Sequence, residues 1–291
     1  MMRIWLSVLC ARATHGCYAE IDLSDAFLEV AVDAATRAGE LLRSRFGSLR
    51  HIAYKSGPTN LVTEMDGQAE ALIVEAIRRR FPDHAVLAEE SGASGGATPY
   101  RWIVDPLDGT TNYAHGVPLF AVSIALEVEG RLELGVVVDP SRDERFTACR
   151  GGGAFLNGQP LSVSDTPTVA TSLLGTGYPY DICSTRENNL AEHDAFAVRC
   201  RSIRAIGSAV LSFAWVAAGR LDAYWEPRLS AWDVAAGAVL VEEAGGRVTH
   251  MNGGPLDLAS ASTLASNGGI HVEMLETLKT VKTTRTQEPR A

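Results

Sequence analysis

The sequence predicts an α+β fold, built as one large domain or as two intimately packed halves. Apolar residues recur at helical spacing twice near the start. A run of Val- and Ile-rich segments with turn signals follows, and strand then alternates with helix to the end. With 291 residues the chain can bury a substantial core, and 46 % apolar against 21 % charged residues is a globular composition. A formal net charge of −9 speaks against nonspecific nucleic-acid binding. The five cysteines are odd in number and form no CxxC pair. That disfavours structural zinc and a disulfide framework, and points to a reducing compartment, the cytoplasm.

Residues 1–21 carry a short apolar run broken by Arg12 and read as a non-conforming N-terminal extension, far too short to span a membrane. The first helix begins near residue 22, where Phe27, Val30, Ala31, Ala34, Ala38, Leu41 and Leu42 recur at three and four, and ends near Phe46-Gly47. Residues 51–55 are expected to be extended. Thr63 caps a second helix, with Asp66 in its first turn, and Phe81-Pro82 closes it. Residues 85–88 lead as a strand into Glu89-Glu90, and SGASGGATP reads as a flexible loop. Residues 121–127 and 134–138 are antiparallel neighbours linked through Gly130, with a further strand at 144–149 and a hairpin signal at Asn157-Gly158.

A boundary falls between 160 and 168, which gives an N-terminal half of 22–162 and a C-terminal half of 163–276. In the second half, helices at 188–198, 208–218 and 232–244 alternate with short extended pieces, and Gly219 and Gly245-Gly246 stop the last two helices. Residues 277–291 lack an apolar stripe and are expected to be a disordered tail.

The stretch richest in chemistry is WIVDPLDGTTNYAHGVP, residues 102–118. Trp102, Ile103 and Val104 suit a buried strand that should stop at Pro106, which has no N–H for the ladder. Asp105 and Asp108 follow on a turn, then Gly109 and the hydroxyls of Thr110 and Thr111. Two carboxylates beside free backbone amides suit a hard cation and a phosphate; an Asp-rich turn capped by its own side chains is the other reading. Asp66, Glu89, Glu90 and Asp233 also stand at element ends. Singly each is a helix-start acid or a loop acid; together they suggest convergence on one crevice.

These segments resemble the inositol monophosphatase family, within the lithium-sensitive, magnesium-dependent sugar-phosphatase superfamily. AEES at Glu89-Glu90 resembles the family's GEES, with Ala88 where Gly is usual. Residues 105–116 match its DPxDGTxN signature, residues 232–246 its second signature, and residues 61–66 its LVTxxD segment. The likeness runs in order from about residue 22 to 270. It implies the sugar-phosphatase fold, a layered α/β/α/β/α arrangement, and Mg²⁺-dependent hydrolysis of a phosphate monoester, foremost myo-inositol 1-phosphate. Histidinol phosphate, fructose 1,6-bisphosphate and nucleotide phosphates are the alternatives, and a regulatory role through RNA or RNA polymerase is the non-enzymatic one.

The resemblance also implies a site of two to three Mg²⁺ ions. Glu89, Asp105 and the Leu107 carbonyl would hold one; Asp105, Asp108 and Asp233 a second; a third would sit near Glu89. Asp66 and Thr110 would position and deprotonate the attacking water, and the amides of Gly109, Thr110 and Thr111 would hold phosphate. Glu90 and Lys55 would support the site and its loop. Glu226 and Ala209 would face the substrate's alcohol, a phosphorylated polyol or amino alcohol. Arg228 places a cation near the expected entrance. A homodimer is implied, with no membrane and no nucleic-acid partner.

Overall fold

The computed structural model describes residues 23–48, 52–57 and 60–287. The extension expected over 1–21 and residues 288–291 of the expected tail lie outside the described residues. The chain opens with helix α1 (Leu23–Arg45), a hairpin of β1 (Ile52–Gly57) and β2 (Asn60–Thr63), and helix α2 (Glu64–Arg80). There follow β3 (Ala85–Ala88), β4 (Gly92–Ser94), β5 (Tyr100–Asp108), the short helix α3 (Thr110–Ala114), β6 (Ala121–Val128), β7 (Arg131–Asp139), β8 (Glu144–Cys149), β9 (Gly153–Leu156) and β10 (Gln159–Pro160). Strands β3 to β10 form an eight-stranded sheet in the order β10-β9-β8-β7-β6-β5-β3-β4, antiparallel except where β3 runs parallel to β5.

The remainder is β11 (Leu173–Thr176), α4 (Leu190–Ala197), β12 (Ser202–Arg204), α5 (Ala209–Ala217), β13 (Ala223–Leu229), α6 (Ala231–Glu243), β14 (Arg247–His250), β15 (Ala261–Ser266) and α7 (His271–Gln287). Its five-stranded sheet has the order β12-β11-β13-β15-β14, with β11 parallel to both its neighbours and β15 antiparallel to both of its own.

Burial explains the layers. Ala34, Ala38 and Leu42 of α1 and Ala69, Ile73 and Ile77 of α2 pack on Trp102, Val104, Val122, Ile124 and Val136, one face of the large sheet. The other face, with Ile103, Ala121, Ala125, Val137 and Phe146, meets α5 and α6, which also cover Tyr224, Val248 and Ala265 of the small sheet. Strands buried on both faces read as continuous apolar runs, and α5 (AVLSFAWVA) is apolar all round because sheets lie on either side of it. Behind the small sheet, Leu174, Ala223, Trp225 and Leu264 pack on Phe196 of α4 and on Ile270, Met274 and Leu278. The order is α/β/α/β/α, as the resemblance implied. Among the described residues no helix is long and apolar enough to cross a membrane.

Local expectations differ in places. β5 does not stop at Pro106. Asp105 pairs with Ser123 and Asp108 with Ala121, so a one-residue bulge absorbs the proline and the ladder resumes. Part of the SGASGGATP loop is β4, an edge strand of three residues on β3. The stretch from 277 is helical to Gln287, because Met274 and Leu278, one turn apart, seat α7 on the small sheet and carry the helix onward.

His271 at the start of α7 is fully buried between Thr249 Oγ1 (3.0 Å) and Ser266 Oγ (2.8 Å). Burial, and then the charge of Arg247, push its pKa down from 6.5 to about 4. A depressed histidine pKa means full stability above pH 6.5 and progressive loss as pH falls through 4, roughly 3 kcal/mol in all. Chemical denaturation across that window should show a shallower acid limb for His271→Asn than for the native chain; parallel limbs would refute this assignment.

Candidate active site

The acidic residues converge where several helix starts meet the end of β5. The Pro106 bulge turns Asp105 and Asp108 to the same crevice. Gly109 then takes φ of +85°, a left-handed conformation, and a Cβ there would lie 2.7 Å from the Leu119 carbonyl, so only glycine fits. Oxygens of Asp105, Asp108 and Asp233 all lie within 4.8 Å of one another.

Each carboxylate is held by its own local structure. Asp66 is the third residue of α2 and completes a capping box: its Oδ2 accepts from the Thr63 amide (2.8 Å) and hydroxyl (2.6 Å). Its Oδ1 faces Thr110 Oγ1 at 3.0 Å, and that hydroxyl is also 3.0 Å from the Leu107 carbonyl. Asp105 Oδ1 accepts from the Leu107 amide at 3.0 Å. Asp108 accepts from the Ser208 hydroxyl and from the amides of Ala209 (3.3 Å) and Val210 (3.2 Å) at the start of α5. Asp233 sits in the first turn of α6, its Oδ2 accepting from the Ser230 amide at 2.7 Å. The helix-start positions expected of Asp66 and Asp233 are both present.

Burial dominates the electrostatics, and crowding of like charge adds to it. Burial, reinforced by Glu89, Asp108 and Asp233, raises the Asp105 pKa well above the carboxylate range; burial also raises Asp108 to about 7 and Asp233 well above its ordinary value. Asp66 is raised too, by burial first. Glu89 bears on all four and hydrogen-bonds to Asp105, which places it in the cluster. Buried carboxylates without a histidine or cysteine among them are the donor set of a hard divalent cation.

The other expected residues stand as follows. Thr111 follows Thr110 in the first turn of α3. Glu90 contributes its amide to an internal bond: Glu70 accepts from the amides of Glu90 (2.8 Å) and Ser91 (2.9 Å). Glu226, half-buried in the middle of β13, accepts from the Tyr224 hydroxyl, and burial raises it to about 7. Gly177 lies so close that any Cβ would overlap the Glu226 carboxylate. Ala209 is buried, and its amide is engaged by Asp108 rather than open. Lys55 lies on β1 by its backbone, and its side chain is outside the described part.

Sequence reasoning missed three contributors. Glu70 lies four residues beyond Asp66, one turn along the same helix face, and that spacing was its signal. Ser208 caps α5 and holds Asp108 at once. Asn112 donates from Nδ2 to the carbonyls of Leu119 and Ile206, both at 2.8 Å, and so ties the loop after β5 to the second half of the chain.

Comparison with known proteins agrees with this geometry. The chain is 46 % identical over 253 residues to an inositol-1-monophosphatase from Synechocystis sp., covering 87 % of this chain and 88 % of the relative. It is 45 % identical over 263 residues to a protein from Pseudomonas aeruginosa named Nus factor SuhB, covering 87 % and 95 %. The solved structure of inositol monophosphatase from Anabaena (Nostoc) sp. superposes with a TM-score of 0.82 at 43 % identity, covering 89 % of this chain and 97 % of that one. The model of the inositol monophosphatase family matches residues 23–283, nearly the whole described chain. The chain belongs to the inositol monophosphatase family.

Proposed function

We propose that this protein is a phosphoric monoester hydrolase that converts myo-inositol 1-phosphate to myo-inositol and phosphate with Mg²⁺. The observation that carries this reading is the convergence of Asp105, Asp108 and Asp233 within 4.8 Å, the first two buried and the third half-buried, all mutually repelling. A cation offsets that repulsion, and the all-oxygen donor set fits Mg²⁺. Glu89, Asp105 and the Leu107 carbonyl would hold one ion, Asp105, Asp108 and Asp233 a second, and a third would lie near Glu89. Bound there, the ions would supply an activated water and neutralise charge on the transferring phosphoryl group.

The chain's own residues do the rest. Asp66 and Thr110 share a hydrogen bond, so Asp66 can take a proton from a water that Thr110 orients. The amides of Gly109, Thr110 and Thr111, at a tight turn, would receive the phosphate oxygens. Glu90 would act through the amide that Glu70 fixes, and Lys55 would order the nearby hairpin. Glu226, held by Tyr224, would accept hydroxyls of the inositol ring, with Ala209 beside it. A homodimer in the cytoplasm belongs to the same proposal.

Phosphate release from myo-inositol 1-phosphate and from histidinol phosphate, with and without Mg²⁺, tests the reading. We expect magnesium-dependent release with the inositol ester strongly preferred. Preference for histidinol phosphate would overturn the substrate, and metal-independent release the mechanism. The relative named a Nus factor favours a second reading in which the chain also meets a partner of the transcription machinery. Specific retention of RNA or RNA polymerase by the purified chain would support that reading and overturn the expectation of no nucleic-acid partner.

A further inference from the structure

The crevice has an entrance whose composition the catalytic residues do not explain. The ladder between β13 and β15 breaks between Glu226 and Leu229, where β13 carries one extra residue. At the bulge Arg228 adopts φ of +61°, uncommon for a residue with a side chain, and its amide donates to Ser262 Oγ at 3.1 Å. The bulge lifts a guanidinium off the sheet in the short connection from Glu226 to Asp233. From the other side comes the segment between β11 and α4. Asn189 pins its ends: it donates to Thr176 Oγ1 (2.8 Å) and to the Gly177 carbonyl (2.6 Å), and accepts from Trp225 Nε1 (2.7 Å). Gly177 lies against Glu226. In the middle of the segment Asp181 Oδ1 meets Arg228 Nη1 at 2.6 Å. Next to it Tyr180 is 58 % exposed. Burial of its hydroxyl, and then the charges of Asp233, Glu89, Asp108 and Asp105, raise its pKa. The segment therefore runs beside the acidic cluster, with Gly177 against Glu226, and the exposed Asp181–Arg228 pair ties it to β13.

A guanidinium is the group best shaped to receive a phosphate or carboxylate in two parallel hydrogen bonds. Here a tethered carboxylate occupies it, and tethering gives that carboxylate a high effective concentration against any ligand. We propose that Arg228 is a second anion-binding group at the mouth of the site and that Asp181 masks it, so that the chain selects monoesters of uncharged alcohols against substrates bearing a second phosphate. The inference rests on the phosphatase reading above and adds to it a determinant of substrate class. Asp181 acts by competition, without touching the reacting atoms.

The test compares fructose 1,6-bisphosphate with fructose 1-phosphate on the full-length chain. The readout is the ratio of their kcat/KM values. Asp181→Ala should raise that ratio about two- to fivefold, the scale of an exposed ion pair. Adding Arg228→Asn, a residue that tolerates the left-handed backbone, should return the ratio to its native value. An unchanged ratio in Asp181→Ala, or a gain that survives in the double variant, would overturn the proposal. Calorimetric binding of the two sugar phosphates with Ca²⁺ replacing Mg²⁺ reads the same difference without turnover. A native chain that hydrolyses no phosphomonoester would remove the phosphatase reading, while equal binding by native and Asp181→Ala proteins would remove the mask.

Discussion

Asp105→Asn is expected to lower magnesium-dependent phosphate release by roughly a thousandfold or more, and yet to raise the melting temperature of the metal-free protein. Both follow from one arrangement. Asp105 lies at the centre of the acidic cluster, where Glu89, Asp108 and Asp233 all oppose its ionisation after burial has done so. For acids whose folded pKa is raised, the sign is fixed: the contribution to stability is intact below the unfolded value near 4 and is lost as pH rises through the folded one. For Asp108 that window runs from 3.8 to about 7. The metal-free native protein should therefore melt lower at pH 8 than at pH 5, by the equivalent of a few kcal/mol, about 1.4 for each pKa unit. Magnesium should raise the melting temperature more at pH 8 than at pH 5, because it binds the ionised cluster. In Asp105→Asn both differences should shrink. Calorimetry of the two proteins with EDTA and with Mg²⁺ at the two pH values decides it. A lower metal-free melting temperature for the variant would refute the repulsion, and turnover within tenfold of native would remove Asp105 from the centre of the mechanism.

Gly135→Ala carries the other large effect, and acts through packing alone. Gly135 lies on β7 where α6 crosses the large sheet, and an added Cβ would sit 2.5 Å from the Ala236 carbonyl and 3.0 Å from its Cα. Nothing flexible is there to yield, so helix and strand must part. Overpacking of this kind costs about 1–3 kcal/mol. Ala236 is one turn beyond Asp233, so the same displacement should also move a proposed metal ligand. We expect a melting temperature lower by several degrees together with a several-fold higher Mg²⁺ concentration for half-maximal activity. Loss of stability with unchanged metal activation would show that α6 tilts about its first turn and leaves Asp233 in place.

These two residues also show what could be read in the chain before its fold was known. Asp105 was legible because chemistry needs particular residues at fixed spacing, and because Asp66 and Asp233 were visible as first-turn acids. Helices such as α1 and α2 were legible because one apolar face leaves a period of three and four. Gly135 was not legible: its constraint comes from a helix a hundred residues later. The bulge at Pro106 was hidden for a related reason, since proline ends a ladder only where its neighbour demands an N–H, and the register of β6 removes that demand. Glu70 looked like any polar helix residue until the amides of Glu90 and Ser91 came to rest on it. The helix past residue 277 was hidden because one of its anchors, Met274, stands before it and only Leu278 falls within it.

Asp108 comes from the strand layer of the first half, but the groups that grip it, Ser208 and the amides of Ala209 and Val210, come from the second. Asn112 makes a like span in reverse. The catalytic crevice is thus the clasp of the molecule, and to undo either part is to undo the other. Neither half expressed alone would own a complete site. Exchange of the Ala209 and Val210 amides with solvent would slow on metal loading as though the whole protein had been tightened, and selection for turnover would act on cohesion through the same few atoms.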